Sequence, residues 1–348
     1  MILASRANCG LSVLCGLVLA AQAPLAAAPR AKYATFDPPG AVETYAVGIN
    51  GKGAAAGWFS DSNDLYHGFV RTSNGTIVTF DPPGSGETIT AGINNAGAIA
   101  GNYCVEPNAV SCEGDAIFDS VIHGFVRAAN GSIASFDPPQ SIGTFVLGIN
   151  SKGATTGYSL YDTNLDSNAF VRETNGTITN FDAAGAIRTA GAAINSKGAI
   201  AGYYSLDPQS EHGFLRAPNG AMTNFDPPGS NGTIPKAISS KGVIAGYYFD
   251  ANGGPHGFVR AVDGTITTFD PPGSSYTLVD AINNAGSATG YYRDSAGAHG
   301  FLRAANGTIT SFDVPGAPGT YAQAVSKRAI TGYFADSAGN AHGFVRTR

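Results

Sequence analysis

The sequence is poor in charged residues, in cysteine and in long apolar runs. Charged residues make up 13% of the 348 positions, about half the usual share, and the formal net charge is -5. Such a chain has no excess of lysine and arginine to follow a phosphate backbone. We therefore expect no nucleic-acid partner.

One apolar run stands out, between Leu11 and Ala21. It is shorter than the ~20 residues that span a bilayer, which disfavours the alternative of a transmembrane segment. Arg6 precedes it and small residues up to Ala28 follow it, as in an export signal with its cleavage site. The sequence predicts a signal peptide at residues 1–28 and a secreted or extracellular chain, with the periplasm as an alternative, that has no transmembrane anchor.

Cysteine is scarce, and two of the four copies, Cys9 and Cys15, lie in the predicted signal. The other two, Cys104 and Cys112, lie in one insertion of a chain expected in an oxidising compartment. We predict that they form a disulfide that closes this loop. A metal pair is the alternative, and it has no histidine close by in sequence.

What the chain has in abundance is repetition. Phe-Asp pairs recur seven times, at intervals of 43 to 45 residues except for one of 56. His-Gly-Phe stands beside six of them, and Asn168-Ala169-Phe170 occupies the seventh slot. A fixed period in this range is typical of a propeller or a solenoid.

One repeat, read from residue 277 to residue 313, contains four β-rich runs. Asn306-Gly307 predicts a two-residue type I′ hairpin turn that sets Phe301 opposite Phe312. Proline follows most of the Phe-Asp pairs and cannot donate to a ladder, so the fourth strand should be an outer edge. Each repeat is thus predicted to be a four-stranded antiparallel blade.

The two ends of the repeat region complement each other. Residues 32–40 resemble a fourth strand without its partners, and residues 342–346 resemble a third strand without its fourth. The sequence therefore predicts an all-β domain at residues 33–348, a closed seven-bladed β-propeller whose last blade is completed by the N-terminal strand. We expect a monomer.

The recurring unit "GIN..GAIAGYY.D...HGFVRA.NGTITTFDPPG" resembles the extracellular HAF-repeat family of bacterial proteins, named for a His-Ala-Phe core that is mostly His-Gly-Phe here. The likeness covers Tyr33 to Arg348. It implies a secreted or surface bacterial protein and transfers no catalytic residue.

Histidine, arginine and aspartate recur at fixed places in nearly every repeat, which favours a structural role. We expect the histidines and aspartates to bond backbone groups at strand ends. A ring of identical ligand slots is the alternative. Asp162, Asn164 and Asp166 have the spacing of calcium ligands but lack the glycine and the later glutamate of such a loop, so no metal or cofactor is predicted.

Function is expected where the copies differ. Two variable columns of the first strand should share a face and line the central channel. The polar exceptions in these columns are the candidate ligand-binding residues: Glu43, Glu87, Arg188 and Tyr276 at the entrance, and Lys236 and Asp280 deeper in the channel. The alternative is a solvated channel with Lys236 and Asp280 paired across neighbouring blades.

Three classes of function remain open. The first is a non-enzymatic module that binds a glycan or a protein by its loop face and central channel. The second is a glycan-cleaving enzyme with Glu43 and Glu87 as its carboxylate pair. The third is a structural envelope protein. No residue is assigned a catalytic role.

Overall fold

The computed structural model describes residues 31–105, 121–161 and 166–347, and the predicted signal peptide lies outside them. The described residues form 28 β-strands and no helix, which confirms the predicted all-β class. Twenty-four of these strands fall into six consecutive four-stranded antiparallel units, which we call blades 1 to 6; parallel bridges join some neighbouring blades into larger sheets.

Blades 1 to 3 run from residue 43 to residue 181. Their strands are β2 (Glu43–Ile49), β3 (Ala55–Ser60), β4 (Tyr66–Arg71) and β5 (Ile77–Phe80); β6 (Glu87–Ile93), β7 (Ile99–Val105), β8 (Val121–Arg127) and β9 (Ile133–Phe136); β10 (Gly143–Ile149), β11 (Thr155–Leu160), β12 (Ser167–Arg172) and β13 (Ile178–Phe181).

Blades 4 to 6 follow the same plan. Their strands are β14 (Arg188–Ile194), β15 (Ile200–Asp207), β16 (Ser210–Arg216) and β17 (Met222–Phe225); β18 (Gly232–Ile238), β19 (Ile244–Phe249), β20 (Pro255–Arg260) and β21 (Ile266–Phe269); β22 (Tyr276–Ile282), β23 (Ala288–Asp294), β24 (Gly297–Arg303) and β25 (Ile309–Phe312).

The last four-stranded sheet, blade 7, joins the two ends of the described chain. It consists of β26 (Gly319–Val325), β27 (Ala329–Ala335), β28 (Ala341–Thr347) and β1 (Lys32–Phe36). Strand β1 pairs antiparallel with β28, from Lys32 opposite Thr347 to Phe36 opposite Gly343. The first strand of blade 1, β2, contacts the first strands of both blade 2 and blade 7.

The turn between the third and fourth strands differs from the predicted one. At Asn306-Gly307 only the glycine has a positive φ, of 92°, and Gly300, not Phe301, lies opposite Phe312. A type I′ turn needs positive φ at both central residues; a type I turn followed by a glycine bulge needs it only at the glycine. The register places the Phe312 ring over Gly300, where a Cβ would lie 2.7 Å from the ring.

A phenylalanine–arginine stack fills every junction between blades. The phenylalanine of each His-Gly-Phe or Asn-Ala-Phe segment is fully buried. It meets the Phe-Asp phenylalanine of the preceding blade edge-on, with centroids 5.8 to 6.5 Å apart. An arginine from the third strand places its guanidinium 4.5 to 5.0 Å from the centroid of that second ring. Phe36 of blade 7 and Phe69 of blade 1 make this contact too.

A second set of contacts links the turns between the first and second strands. The Asn50 side chain accepts hydrogen bonds from the backbone of its own turn and donates 3.2 Å to the carbonyl of Asn94, in the same turn of the next blade. Equivalent bonds of 3.0 to 3.2 Å are donated by four more asparagines: Asn94, Asn150, Asn195 and Asn283. Each asparagine thus fixes a turn and ties it to a neighbour.

The repeated histidines bond the repeated aspartates, and not mainly backbone groups as expected from the sequence. Each histidine Nδ1 lies 2.6 to 3.0 Å from the aspartate that follows the fourth strand of its blade. In blade 3, Asn168 donates to Asp182 over 2.6 Å. In blade 7, His342 bonds Asp37 and so joins β28 to β1. The hydrogen bond ties the third strand to the end of the fourth.

The pairing of β1 with β28 predicts the result of a truncation. Deleting residues 33–40 from the chain 31–348 removes a whole ladder together with Phe36 and Asp37. We expect at least about 3 kcal/mol loss of unfolding free energy, the scale for loss of one buried phenylalanine. A synthetic peptide of residues 31–40 added in trans should restore the melting temperature. An unchanged melting temperature of the truncated chain would contradict the structural role of β1.

A pH dependence follows from the histidine–aspartate pairs. For His256, His299 and His342, burial lowers the pKa, but the hydrogen bonds and charges of two flanking aspartates outweigh burial and raise it. The protonated histidines therefore stabilise the fold below the unfolded pKa of about 6.5, and this stability is lost as the pH rises through the folded pKa.

We expect the melting temperature to fall between pH 6.5 and pH 8.5, and the fall to shrink when His256, His299 and His342 are replaced with asparagine. Asparagine is the matched replacement because Asn168 makes the same bond in blade 3 and does not titrate. Melting curves across this pH range check the expectation. A slope that is the same in the triple variant and the parent chain would show that these histidines do not carry the effect.

Candidate functional site

The first strand of every blade bulges at the same place. The antiparallel register with the second strand skips one residue in each blade. The seven skipped residues are one of the two variable columns of the sequence: Val47, Ala91, Leu147, Ala192, Lys236, Asp280 and Gln323. All seven line one cavity of about 490 Å³, which we call the channel cavity. A bulged residue is free of the ladder, so its side chain can change without altering strand pairing.

Asp280 is the most perturbed carboxylate of the channel cavity. Its Oδ2 atom is buried and has no hydrogen-bond partner among the residues that the structure describes. Burial raises its pKa to about 6, although the charge of Lys236 acts to lower it. Because no ion pair within 4.0 Å joins these two side chains, the predicted alternative of a paired Lys236 and Asp280 has no support in this geometry.

Tyrosines of the second strands lie within the electrostatic reach of Asp280. Burial raises the pKa of Tyr247, Tyr291 and Tyr333, and the negative charge of Asp280 adds to the rise. For Tyr333 the value reaches about 12. These hydroxyl groups are therefore neutral at physiological pH and available as hydrogen-bond donors.

Aromatic rings form a continuous arc across blades 6, 7 and 1. Successive ring centroids are 4.2 to 6.1 Å apart. The rings of this aromatic arc are, in order, Tyr276, Tyr291, Tyr321, Tyr333, Tyr45, Trp58 and Tyr66. Contacting rings over three blades present a broad surface that is apolar on its faces and polar at its hydroxyl edges.

Sequence reasoning missed most of this aromatic surface. The position after the glycine of the second strand is aromatic in six of the seven blades: Trp58, Tyr158, Tyr203, Tyr247, Tyr291 and Tyr333, with Asn102 in blade 2. The signal was present as a repeated column. A comparison of the positions at which the copies differ does not find such a column.

Arg188 lines a second cavity, of about 270 Å³, which we call the side cavity. The side cavity shares Tyr203 and Glu211 with the channel cavity. Its other lining residues are Tyr158, Leu160, Ser167, Ala190 and Ser205. Glu211 was not among the predicted site residues, because it precedes a repeated histidine on the third strand and not on the first.

The remaining predicted site residues do not gather in one place. Glu43 accepts a hydrogen bond of 3.0 Å from the Tyr45 hydroxyl, and Tyr276 belongs to the aromatic arc. Glu87 is 3% exposed, with Cys104 Sγ 3.9 Å from its Oε2 atom. Neither glutamate lines the channel cavity or the side cavity, so the geometry does not favour them as a carboxylate pair.

Several predictions fall partly outside the described residues. Cys112 lies outside them, so the disulfide with Cys104 stays a prediction. Asp162 and Asn164 also lie outside. Within residues 31–105, 121–161 and 166–347, no group of three histidine, cysteine, aspartate or glutamate side chains could hold a metal ion. In the same ranges the structure contains no helix of the length and hydrophobicity needed to cross a membrane.

Comparison with known proteins identifies the fold. No protein-family model and no curated protein sequence matches the chain. Among solved structures, it is similar to streptogramin B lyase, with 14% identity, a TM-score of 0.59, and coverage of 91% of this chain and 98% of that one.

It is also similar to the β-propeller domain of the Trilobed protease from Pyrococcus furiosus, described as having an open velcro topology. The identity is 9% and the TM-score 0.60, over 87% of this chain and 95% of that one. Pyrococcus horikoshii acylaminoacyl peptidase matches at 9% identity and a TM-score of 0.58, over 87% of this chain and 51% of that one. These likenesses show a β-propeller fold and carry no function.

The environment of Asp280 predicts opposite effects for two substitutions. The pKa of this carboxyl group rises from 3.8 to about 6 on folding. The group therefore destabilises the folded state above about pH 6, where it is ionised, and does not destabilise it below pH 3.8, where it is protonated in both states. Asp280→Asn should therefore raise the unfolding free energy at pH 7.5, by up to about 3 kcal/mol, and leave it nearly unchanged at pH 3.5.

Lys236→Gln should lower stability at pH 7.5, because it removes the charge that favours ionised Asp280. In the Asp280→Asn background the same substitution should have little effect. Denaturant unfolding of the parent chain, the two single variants and the double variant at pH 3.5 and pH 7.5 tests this expectation. Equal effects of Asp280→Asn at pH 3.5 and pH 7.5 would exclude ionisation as the cause.

Proposed function

We propose that the chain is a closed seven-bladed β-propeller, exported and related to the HAF-repeat proteins, that binds a glycan at the channel mouth without cleaving it. The Phe–Phe–Arg stack supports closure, because it recurs between blades 7 and 1 as it does elsewhere. The export signal and the repeat family rest on the sequence patterns alone.

The aromatic arc is the observation that carries the glycan proposal. Sugar rings have apolar C–H faces and polar hydroxyl edges, so they pack on aromatic faces while bonding nearby polar groups. The arc offers contacting rings from Tyr276 to Tyr66, and two of its rings, Tyr291 and Tyr333, lie within reach of the charge of Asp280 in the channel cavity. The two cavities supply carboxylate, ammonium and guanidinium groups from Asp280, Glu211, Lys236 and Arg188. Pockets with an apolar lining and a few convergent polar groups are typical of small-ligand sites.

Binding without cleavage is favoured over hydrolysis by the position of the carboxylates. A glycosidase needs two carboxyl groups facing one bond, about 5 to 10 Å apart. Glu87 is buried, and Glu43 is bonded to Tyr45. A protein ligand would contact the same mouth, and a binding experiment with glycans separates the two.

The experiment is a glycan array with the mature protein, followed by calorimetry on the hits and a reducing-end release assay. Tyr291→Leu combined with Lys236→Gln should weaken the best hit about 10-fold or more, through loss of stacking and of one charged contact. Tyr291 is chosen because it contacts two other rings of the arc and lies within reach of the charge of Asp280.

His212→Asn serves as the matched control, because His212 occupies a repeated slot on the outer part of a blade and Asn168 is its natural equivalent. It should leave binding unchanged. Release of reducing ends would replace the proposal with the enzyme class. Failure to bind any glycan, or loss of binding in His212→Asn alone, would overturn the proposed site.

A further inference from the structure

Arg188 is unlike the seven arginines of the blade junctions. Those arginines stack on phenylalanine rings, whereas Arg188 belongs to the first strand of blade 4 and has no aromatic ring beneath its guanidinium in the described chain. Its Nε atom is buried without a hydrogen-bond partner, as in five of the junction arginines, but those five have a phenylalanine ring beneath the guanidinium. No carboxylate of the described residues lies within 4.0 Å of it.

The Nε–H group of Arg188 is costly to bury, because it has lost hydration and gained no hydrogen-bond acceptor. A carboxylate is the ligand group that best replaces the lost hydration, since its two oxygens match two parallel N–H groups of the guanidinium. The side cavity is therefore prepared for one ligand carboxylate at Arg188.

The neighbours of Arg188 suit a hydroxylated ring. Ser167 and Ser205 pair with Arg188 from the strands on either side, and both are buried. The ring of Tyr158, which stacks on Phe145 with an interplanar angle of 8°, is fixed in the cavity lining. A volume of about 270 Å³ lies just below the ~300 Å³ at which sites for drug-sized molecules begin, so it suits a single sugar residue.

Glu211 limits the charge of the ligand. Its carboxylate lies close enough to Tyr203 to raise the pKa of that phenol, after the larger effect of burial. As an acceptor with no positive partner in the described residues, it can receive sugar hydroxyl groups and repels a second anionic group.

We propose that the side cavity binds a sugar carboxylate, such as that of a uronic acid residue, with Arg188 on the carboxylate, Glu211 on the hydroxyl groups and the Tyr158 and Tyr203 rings against the sugar. The inference rests on the proposed glycan-binding function and specifies its ligand as an acidic glycan. Arg188 is then the residue that determines the preference for an acidic sugar over a neutral one.

The test compares trigalacturonic acid with its methyl ester, which is the same sugar without charge. The parent protein should bind the acid about 10- to 100-fold more tightly than the ester, the range for a hydrogen bond to a charged group. Arg188→Gln should abolish this preference, because it lowers affinity for the acid much more than affinity for the ester. Arg188→Lys should retain part of the preference, because it keeps the charge but not the fork.

Arg293→Gln is the matched control, since Arg293 is another arginine near the mouth, beside Tyr276 in blade 6, and should keep the preference. Equal affinity for acid and ester, or equal loss of both in Arg188→Gln, would overturn the inference while the glycan-binding proposal stands. If no glycan binds to the parent protein, the proposed function itself is rejected. The protein could instead bind short peptides with a free C-terminus, and not their amides, in a way that depends on Arg188. That result would assign the cavity to peptide carboxylates and overturn its assignment to a sugar carboxylate.

Discussion

The stack of two phenylalanines and an arginine between neighbouring blades is the contact on which the rest of the structure depends. A single four-stranded sheet of this size exposes both faces and is not stable alone. The stack covers the outer part of one face with an edge-on ring and places a cation over it. Phe36 of the N-terminal strand makes with Phe69 and Arg71 the same contact that the other Phe-Asp phenylalanines make with their neighbours.

The strands of a blade have different structural roles, and this explains which of them vary in sequence. The third and fourth strands carry the stack and the histidine–aspartate bond, so their sequences repeat closely. The first strand carries a bulge whose residue makes no ladder contact, so lysine, aspartate, glutamine or alanine can stand there without a change of fold. The channel cavity thus combines a rigid frame with freely variable side chains.

The sequence was sufficient for the strand order of a blade and for the pairing of β1 with β28, because hydrophobic alternation, turn residues and proline act locally. It was insufficient at Asn306-Gly307, where a hairpin turn can take more than one form with the same two residues. The bulges at Lys236 and Asp280 also escaped prediction, since a skipped ladder position depends on both strands. The histidine partners were misjudged for a related reason: His299 lies on β24 and Asp313 follows β25, so their contact depends on the register of the two strands.

The candidate site was predictable only in part. Variable columns pointed to Lys236, Asp280 and Arg188, which do line cavities. The aromatic arc was overlooked, because Tyr291 and Tyr333 stand in a repeated column. Their contacts with Tyr321 and Tyr45, respectively, form only when neighbouring blades pack together. Glu87 shows the reverse error, since a polar exception in a variable column turned out to be buried.

The pairing of β1 with β28 also sets the order in which the molecule can fold. Asp37 and His342 are 305 residues apart in sequence, so the strand synthesised early finds its partner only after the last blade has formed. Contacts between such distant residues close slowly, because the entropy of the intervening chain is lost before the bond is gained. Until that step, blades 1 to 6 can assemble by local contacts while β28 has an open edge. Completion of blade 7 is therefore expected to be the late event in folding, and the open edge of β28 is the place where an unfinished molecule is most exposed to pairing with another chain.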